Sequence, residues 1–120
     1  MNVPFDPSRF PPPLYLVISC KQESQPDMVS LLNESIRVPE VRGQGFSCTP
    51  LFTSRHQAET FTESVNIPHR KVLEIKDLED LVDILRQLKA IGRTQIAFDP
   101  PKESDQFSVY STKDILDEIS

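Results

Sequence analysis

CTPLFTSRHQAETF, residues 48–61, passes from strand-like residues into helix-like ones with almost no loop between them. The strand pattern begins two residues earlier. Phe46, Cys48, Pro50 and Phe52 alternate with Ser47, Thr49 and Leu51, which predicts a strand over 46–52. Pro50 lacks the N–H that a ladder needs, so this strand is expected at a sheet edge or to end near Pro50. Ser54, Arg55, His56 and Gln57 then spell S-x-x-Q. In that capping box the Ser54 oxygen accepts from the N–H of Gln57, and the Gln57 side chain reaches back to the N–H of Ser54. Ala58, Phe61, Thr62 and Val65 recur at helical spacing and predict a core-facing stripe. The helix is expected to stop near Asn66, because Pro68 follows.

The same grammar repeats downstream. KVLEIK, 71–76, reads as a short strand, and Asp77 as the cap of a second helix running to about Ile91. Leu78, Leu81, Val82, Leu85 and Leu88 are its expected inner face. Acidic residues lead and basic ones trail, as the helix dipole prefers, and Gly92 suits the position after the C-cap. TQIAF, 94–98, is the next strand; 99–105 is a polar turn, and QFSVY, 106–110, is expected to pair back as a hairpin. Ser111 or Thr112 caps a last helix holding Ile115, Leu116 and Ile119.

Upstream, LYLVISC, 14–20, is apolar nearly throughout and predicts a central strand buried on both faces. Residues 21–27 read as a polar loop, 28–35 as an ambiguous short helix, and 37–45 as extended or looped chain broken by Pro39, Gly43 and Gly45. Residues 1–13 carry five prolines and predict an extended arm before a single domain at 14–120. Phe5 and Phe10 are apolar on that arm, so they are expected against the domain or a partner chain.

The order strand, helix, strand, helix, strand over 46–98 implies parallel strands joined by right-handed crossovers. With 14–20 and the C-terminal hairpin, the expected architecture is α/β: a mixed sheet of about five strands flanked by helices, with the hairpin and a short helix at the C-terminus. In such sheets ligands gather beyond the carboxyl ends of the parallel strands. Those ends are marked here by Thr53, Ser54 and Arg55, by Asp77, and by Asp99. Asp77 and Asp99 follow separate strands and are expected at the same end, where paired carboxylates can do acid–base work. Each also has a local explanation, Asp77 as a cap and Asp99 as a turn starter before Pro100.

This order of motifs resembles the N-terminal domain of the enhanced serine sensitivity (SseB-like) family. PLFTS ends an apolar strand, an Ala and a Phe line the next helix, a Leu-rich helix ends in IG, and a strand ends in FDPP. Members of that family show an FTS-like segment before a helix and an apolar strand leading to an Asn-Pro step; here the step is Asp99-Pro100. The similarity covers about residues 46–101. It implies a small α/β adaptor or binding domain without a known cofactor.

Composition narrows the function classes. The chain has 120 residues and a net charge of −5, and its only basic cluster is His69, Arg70 and Lys71. Nucleic-acid binding and attachment to an anionic membrane surface are therefore not expected. No apolar run approaches the ~18 residues needed to span a bilayer. The N-terminus has no basic start followed by an apolar core, so a cytoplasmic location is expected. Cys20 and Cys48 are expected as free thiols. His56 and His69 have no Cys or carboxylate at ligand spacing, so no metal site is nominated. Cys48 with His56 lacks the signature of an activated nucleophile, and no catalytic residue is nominated.

The expected function is a non-catalytic interaction or adaptor domain that binds a protein partner or a second copy of itself, with no cofactor. The alternative is a small-ligand or anion-binding domain, or less readily an enzyme, using Thr53, Ser54, Arg55, Asp77 and Asp99. Arg55 at a helix start supplies charge for an anion, although no Gly-rich phosphate loop precedes it.

Overall fold

Strand β1 (Leu14–Cys20) is the organising element, and its apolar run is buried as the sequence predicts. The computed structural model describes residues 5–20, 36–43, 46–100 and 109–119. The loop at 21–27, the ambiguous segment at 28–35, and most of 99–108 fall outside the described residues. After β1 come β2 (Ile36–Arg37), β3 (Val41–Gly43), β4 (Phe46–Phe52), α1 (Arg55–Ser64) and β5 (Arg70–Ile75). Helix α2 (Leu78–Ala90), β6 (Gln95–Phe98), β7 (Val109–Ser111) and α3 (Thr112–Ile119) complete the order.

The strands form one mixed sheet. β5 pairs antiparallel with one edge of β1, from Leu14↔Ile75 to Ser19↔Arg70. The other edge of β1 takes β4 at Tyr15↔Phe52 and Leu16↔Leu51, and β2 at its far end. β4 and β6 pair parallel, and β7 returns antiparallel on β6. The lateral order is thus β5, β1, β4, β6, β7. The alternating core yields one adjacent parallel pair rather than a run of three, because β1 inserts between β4 and β5. The segment read as extended or looped at 37–45 supplies β3, which pairs antiparallel with the first half of β4.

β4 has the bounds the sequence predicts and ends at Phe52, two residues past Pro50, but it is not an edge strand: it lies between two neighbours. Leu51 O accepts from Asp99 N, so the main-chain groups of Leu51 point toward β6 and those of Pro50 point the other way. The β1–β4 register stops at Leu16↔Leu51, one residue short of Pro50. The missing donor therefore falls where no ladder bond is asked of it.

Helices cover both faces. On one, α1 packs Ala58 and Phe61 against Tyr15, Val17, Phe52 and Val72. On the other, α2 and α3 bring Leu81, Ile84, Leu85, Leu88 and Ile115 onto Leu14, Leu16, Ile18, Leu73 and Ile75. The inner face of α2 is rotated from the expected one: Ile84 is buried, Val82 is half-buried and Leu78 is 44% exposed. Leu81, Ile84, Leu85 and Leu88 form the tighter i, i+3, i+4, i+7 set. In α1 the expected Val65 is 50% exposed, because the helix has already ended at Ser64.

The ends form as the sequence predicts. Asp77 Oδ1 accepts from Asp80 N at 2.9 Å, and Ser111 Oγ accepts from Asp114 N at 3.0 Å. Gly92, at φ +86°, closes α2: its N–H reaches Lys89 O, and Arg93 N–H reaches Leu88 O. Arg93 then pairs with Glu40, tying the end of α2 to the β2–β3 connection.

The N-terminal arm docks on the second face. Asp6 accepts from the N–H and hydroxyl of Ser8, and Arg9 N–H reaches Asp6 O. That turn brings Phe5 and Phe10 together over Phe98, with ring centroids 5.6 and 4.1 Å away. Tyr110 meets Phe5 edge-on at 5.3 Å. Phe5 is only 4% exposed. The Ser8 hydrogen bonds hold the Asp6 carboxyl below its ordinary pKa.

Candidate functional site

The carboxyl ends of β4 and β6 are neighbours, and two nominated residues meet there. Thr53 donates to Asp99 twice, from its N–H at 2.9 Å and from its hydroxyl at 2.7 Å. Asp99 sits at φ +46°, a left-handed conformation that Asp tolerates better than most residues. Its own N–H is bonded to Leu51 O. Asp99 thus clips the end of one strand to the end of the other, and both carboxylate oxygens are engaged.

Ser54 is the N-cap of α1, its Oγ accepting from Gln57 N at 3.1 Å. The reciprocal arm of the expected box differs. The Gln57 side-chain oxygen lies 3.0 Å from Ser54 Oγ and 3.2 Å from Thr53 Oγ1 rather than on the Ser54 N–H. Arg55 places its guanidinium 5.3 Å from the centre of the Tyr15 ring, a cation–π contact. Asp77 is not part of this cluster. It caps α2 beyond β5, and β5 and β6 stand three strand spacings apart, roughly 14 Å. The two carboxylates that the sequence places at one end of the sheet are therefore held apart by β1 and β4.

The groups at this end bond to one another in a way that stabilises the fold. Asp99→Ala is expected to lower the unfolding free energy by about 2 kcal/mol, from lost charge-assisted bonds and a strained φ. Asp99→Gly, free at that φ, is expected to cost about half as much. Urea denaturation reads both. A stabilised Asp99→Ala would instead mark a group held for a ligand at the expense of stability.

The concave feature of this region lies beside the sheet end, between α1 and β5. It is a half-open groove of about 350 Å³ with Val72 and Thr62 in its lining. Arg55 and Arg70 contribute cations to it, Glu59 and Glu63 contribute acids, and Lys71, whose side chain alternates to the other face of β5, borders it. Of these only Arg55 is nominated by the sequence. Arg70 and Lys71 carry a legible signal, since paired cations opening a short strand mark an exposed edge. Glu59 and Glu63 lie one helical turn apart on α1, and nothing local separates them from an ordinary solvated face.

The histidines are exposed: His56 in the first turn of α1, and His69 in the turn before β5, where its carbonyl accepts from Cys20 N. Cys20 and Cys48 are buried free thiols. Burial, reinforced by the charge of Glu40, pushes the Cys48 thiol above its ordinary pKa, which disfavours the thiolate. Among the described residues no group of three His, Cys, Asp or Glu is placed to hold a metal ion. Nor is any helix among them long and apolar enough to cross a membrane.

A scan against protein-family models finds no match for this chain, and a search of curated proteins finds none.

Proposed function

We propose that this chain is a non-catalytic protein-interaction domain whose contact surface is the outer edge of β5, together with the charged groove that borders it. The observation that carries this reading is the state of that edge. β5 has six residues, and among the described residues it pairs only with β1. A six-residue edge is long enough to accept an extended segment of another chain by main-chain hydrogen bonding. The polar groups at the sheet end speak against chemistry there, since Asp99 is bonded to Thr53 and Asp77 to the start of α2. The SseB-like resemblance suits an adaptor role of this kind. Two buried free thiols suit a reducing compartment such as the cytoplasm.

Site-specific photo-crosslinking tests the reading. A photoreactive residue at position 70 or 74 is expected to capture protein in the cell, and one at Glu79 or Arg86 on α2 is not. Equal capture at all four positions, or none at 70 and 74, contradicts it.

The groove favours a second reading, a small-anion or zwitterion site on Arg55 and Arg70. A saturable rise in melting temperature with one member of an anion panel, lost in Arg55→Ala, would move the assignment there.

A further inference from the structure

We infer that the occupant of the β5 edge is β5 of a second copy of this chain, paired antiparallel about a two-fold axis. The inference rests on the interaction reading above and specifies its partner. It follows from which main-chain groups point outward. Cys20 N donates to His69 O, so His69 faces β1. Antiparallel pairing alternates, and the β1–β5 register continues from Ser19↔Arg70 to Leu14↔Ile75. Lys71, Leu73 and Ile75 therefore also turn their main-chain groups to β1, and Arg70, Val72 and Glu74 turn theirs away from the sheet.

A two-fold axis that continues the sheet keeps each copy's α1 on the same face. Opposed residues must then come from the same face of β5, and the bonded ones must be among the outward set. Centring the axis on Val72 satisfies both conditions. Val72 meets Val72 of the second copy, and Arg70 meets its Glu74 on either side. Each of these three residues then both donates and accepts across the axis. Arg70 and Glu74 are exposed, and Val72 is half-buried. The side-chain pairing is apolar at the centre and of opposite charge at both flanks, a favourable cross-strand arrangement.

The neighbouring registers are worse. Sliding one way sets Arg70 opposite Lys76, a like-charge pair. Sliding the other way sets Glu74 opposite Pro68, which has no N–H to give. Self-pairing is thus specified in register as well as permitted, and the contact is isologous, closing at two copies.

Sedimentation velocity of the full chain over a wide concentration range tests this, with Arg70→Glu, Glu74→Arg and the double exchange compared with wild type. Circular dichroism confirms that each variant is folded. The expected result is reversible dimerisation of the wild type, a dissociation constant raised about tenfold by either single change, and recovery in the double exchange. A wild type that stays monomeric overturns the inference, and the charges of β5 then serve to deny pairing. A dimer that neither single change weakens also overturns it, since the contact would lie elsewhere. If the wild type is monomeric while photo-crosslinks at positions 70 and 74 hold a different protein, the second-copy inference alone fails. If those crosslinks are absent too, the interaction reading fails with it.

Discussion

Phe5→Ala is expected to lower the unfolding free energy by about 3 kcal/mol, although Phe5 lies on the Pro-rich arm that precedes β1. The ring is 4% exposed and contacts Phe10, Phe98 and Tyr110, with centroids 5.3 to 6.0 Å apart. Truncating a ring so enclosed removes both its transfer energy and its packing contacts. One effect limits the cost: an arm outside the sheet can detach locally, so the loss cannot exceed the free energy that docks it. Two readouts separate local release from global loss. Urea denaturation gives the total, and the rate of tryptic cleavage after Arg9 reports whether the arm has lifted. An unchanged midpoint with unchanged cleavage would mean that the arm contributes nothing to the core.

The second large effect concerns α2. Leu85→Ala is expected to cost about 3 kcal/mol, because Leu85 is fully buried against the sheet. Leu78→Ala, at a position 44% exposed, is expected to change stability by no more than about 0.5 kcal/mol. The pair measures the rotation of α2 directly. Equal costs would restore the face read from the sequence, with Leu78 directed inward.

That rotation illustrates what a sequence can and cannot specify. Local signals were legible because their causes are local. The Ser54 and Asp77 caps, the Gly92 stop and the apolar run of β1 all formed where the residues demanded. Helix faces were legible only to within one residue of rotation, since six large apolar positions on α2 cover a broader arc than the sheet can bury. Lateral order was legible only in part: the apolar run of β1 marked an interior strand and β7 was expected beside β6, but the neighbours of β1 were not specified. Nothing in 14–20 says that this strand will divide β4 from β5, yet that insertion decides which strand ends are neighbours. It brings Asp99 onto Thr53 and keeps Asp77 away. The edge position considered for β4 on account of Pro50 failed for a related reason. A missing donor matters only if a partner strand asks for it at that residue, and β1 does not.

The groove and the edge of β5 were hidden by the same non-local geometry. Val72 and Glu74 read as part of an ordinary short strand at 71–76, and Arg70 as a member of the small basic cluster before it. Only once β1 occupies one side of β5, and no described strand the other, do their outward groups become a surface.

Amide hydrogen exchange along β5, read residue by residue in dilute and in concentrated protein, tests the central claim most directly. In dilute solution Lys71, Leu73 and Ile75 are expected to be protected by their bonds to β1, and Arg70, Val72 and Glu74 to exchange quickly. At high concentration the second set is expected to become protected as the edge is filled. Uniform protection at every dilution would mean that the edge is already covered within the chain. Rapid exchange of Arg70, Val72 and Glu74 at every concentration, with and without a captured partner, would mean that nothing binds there.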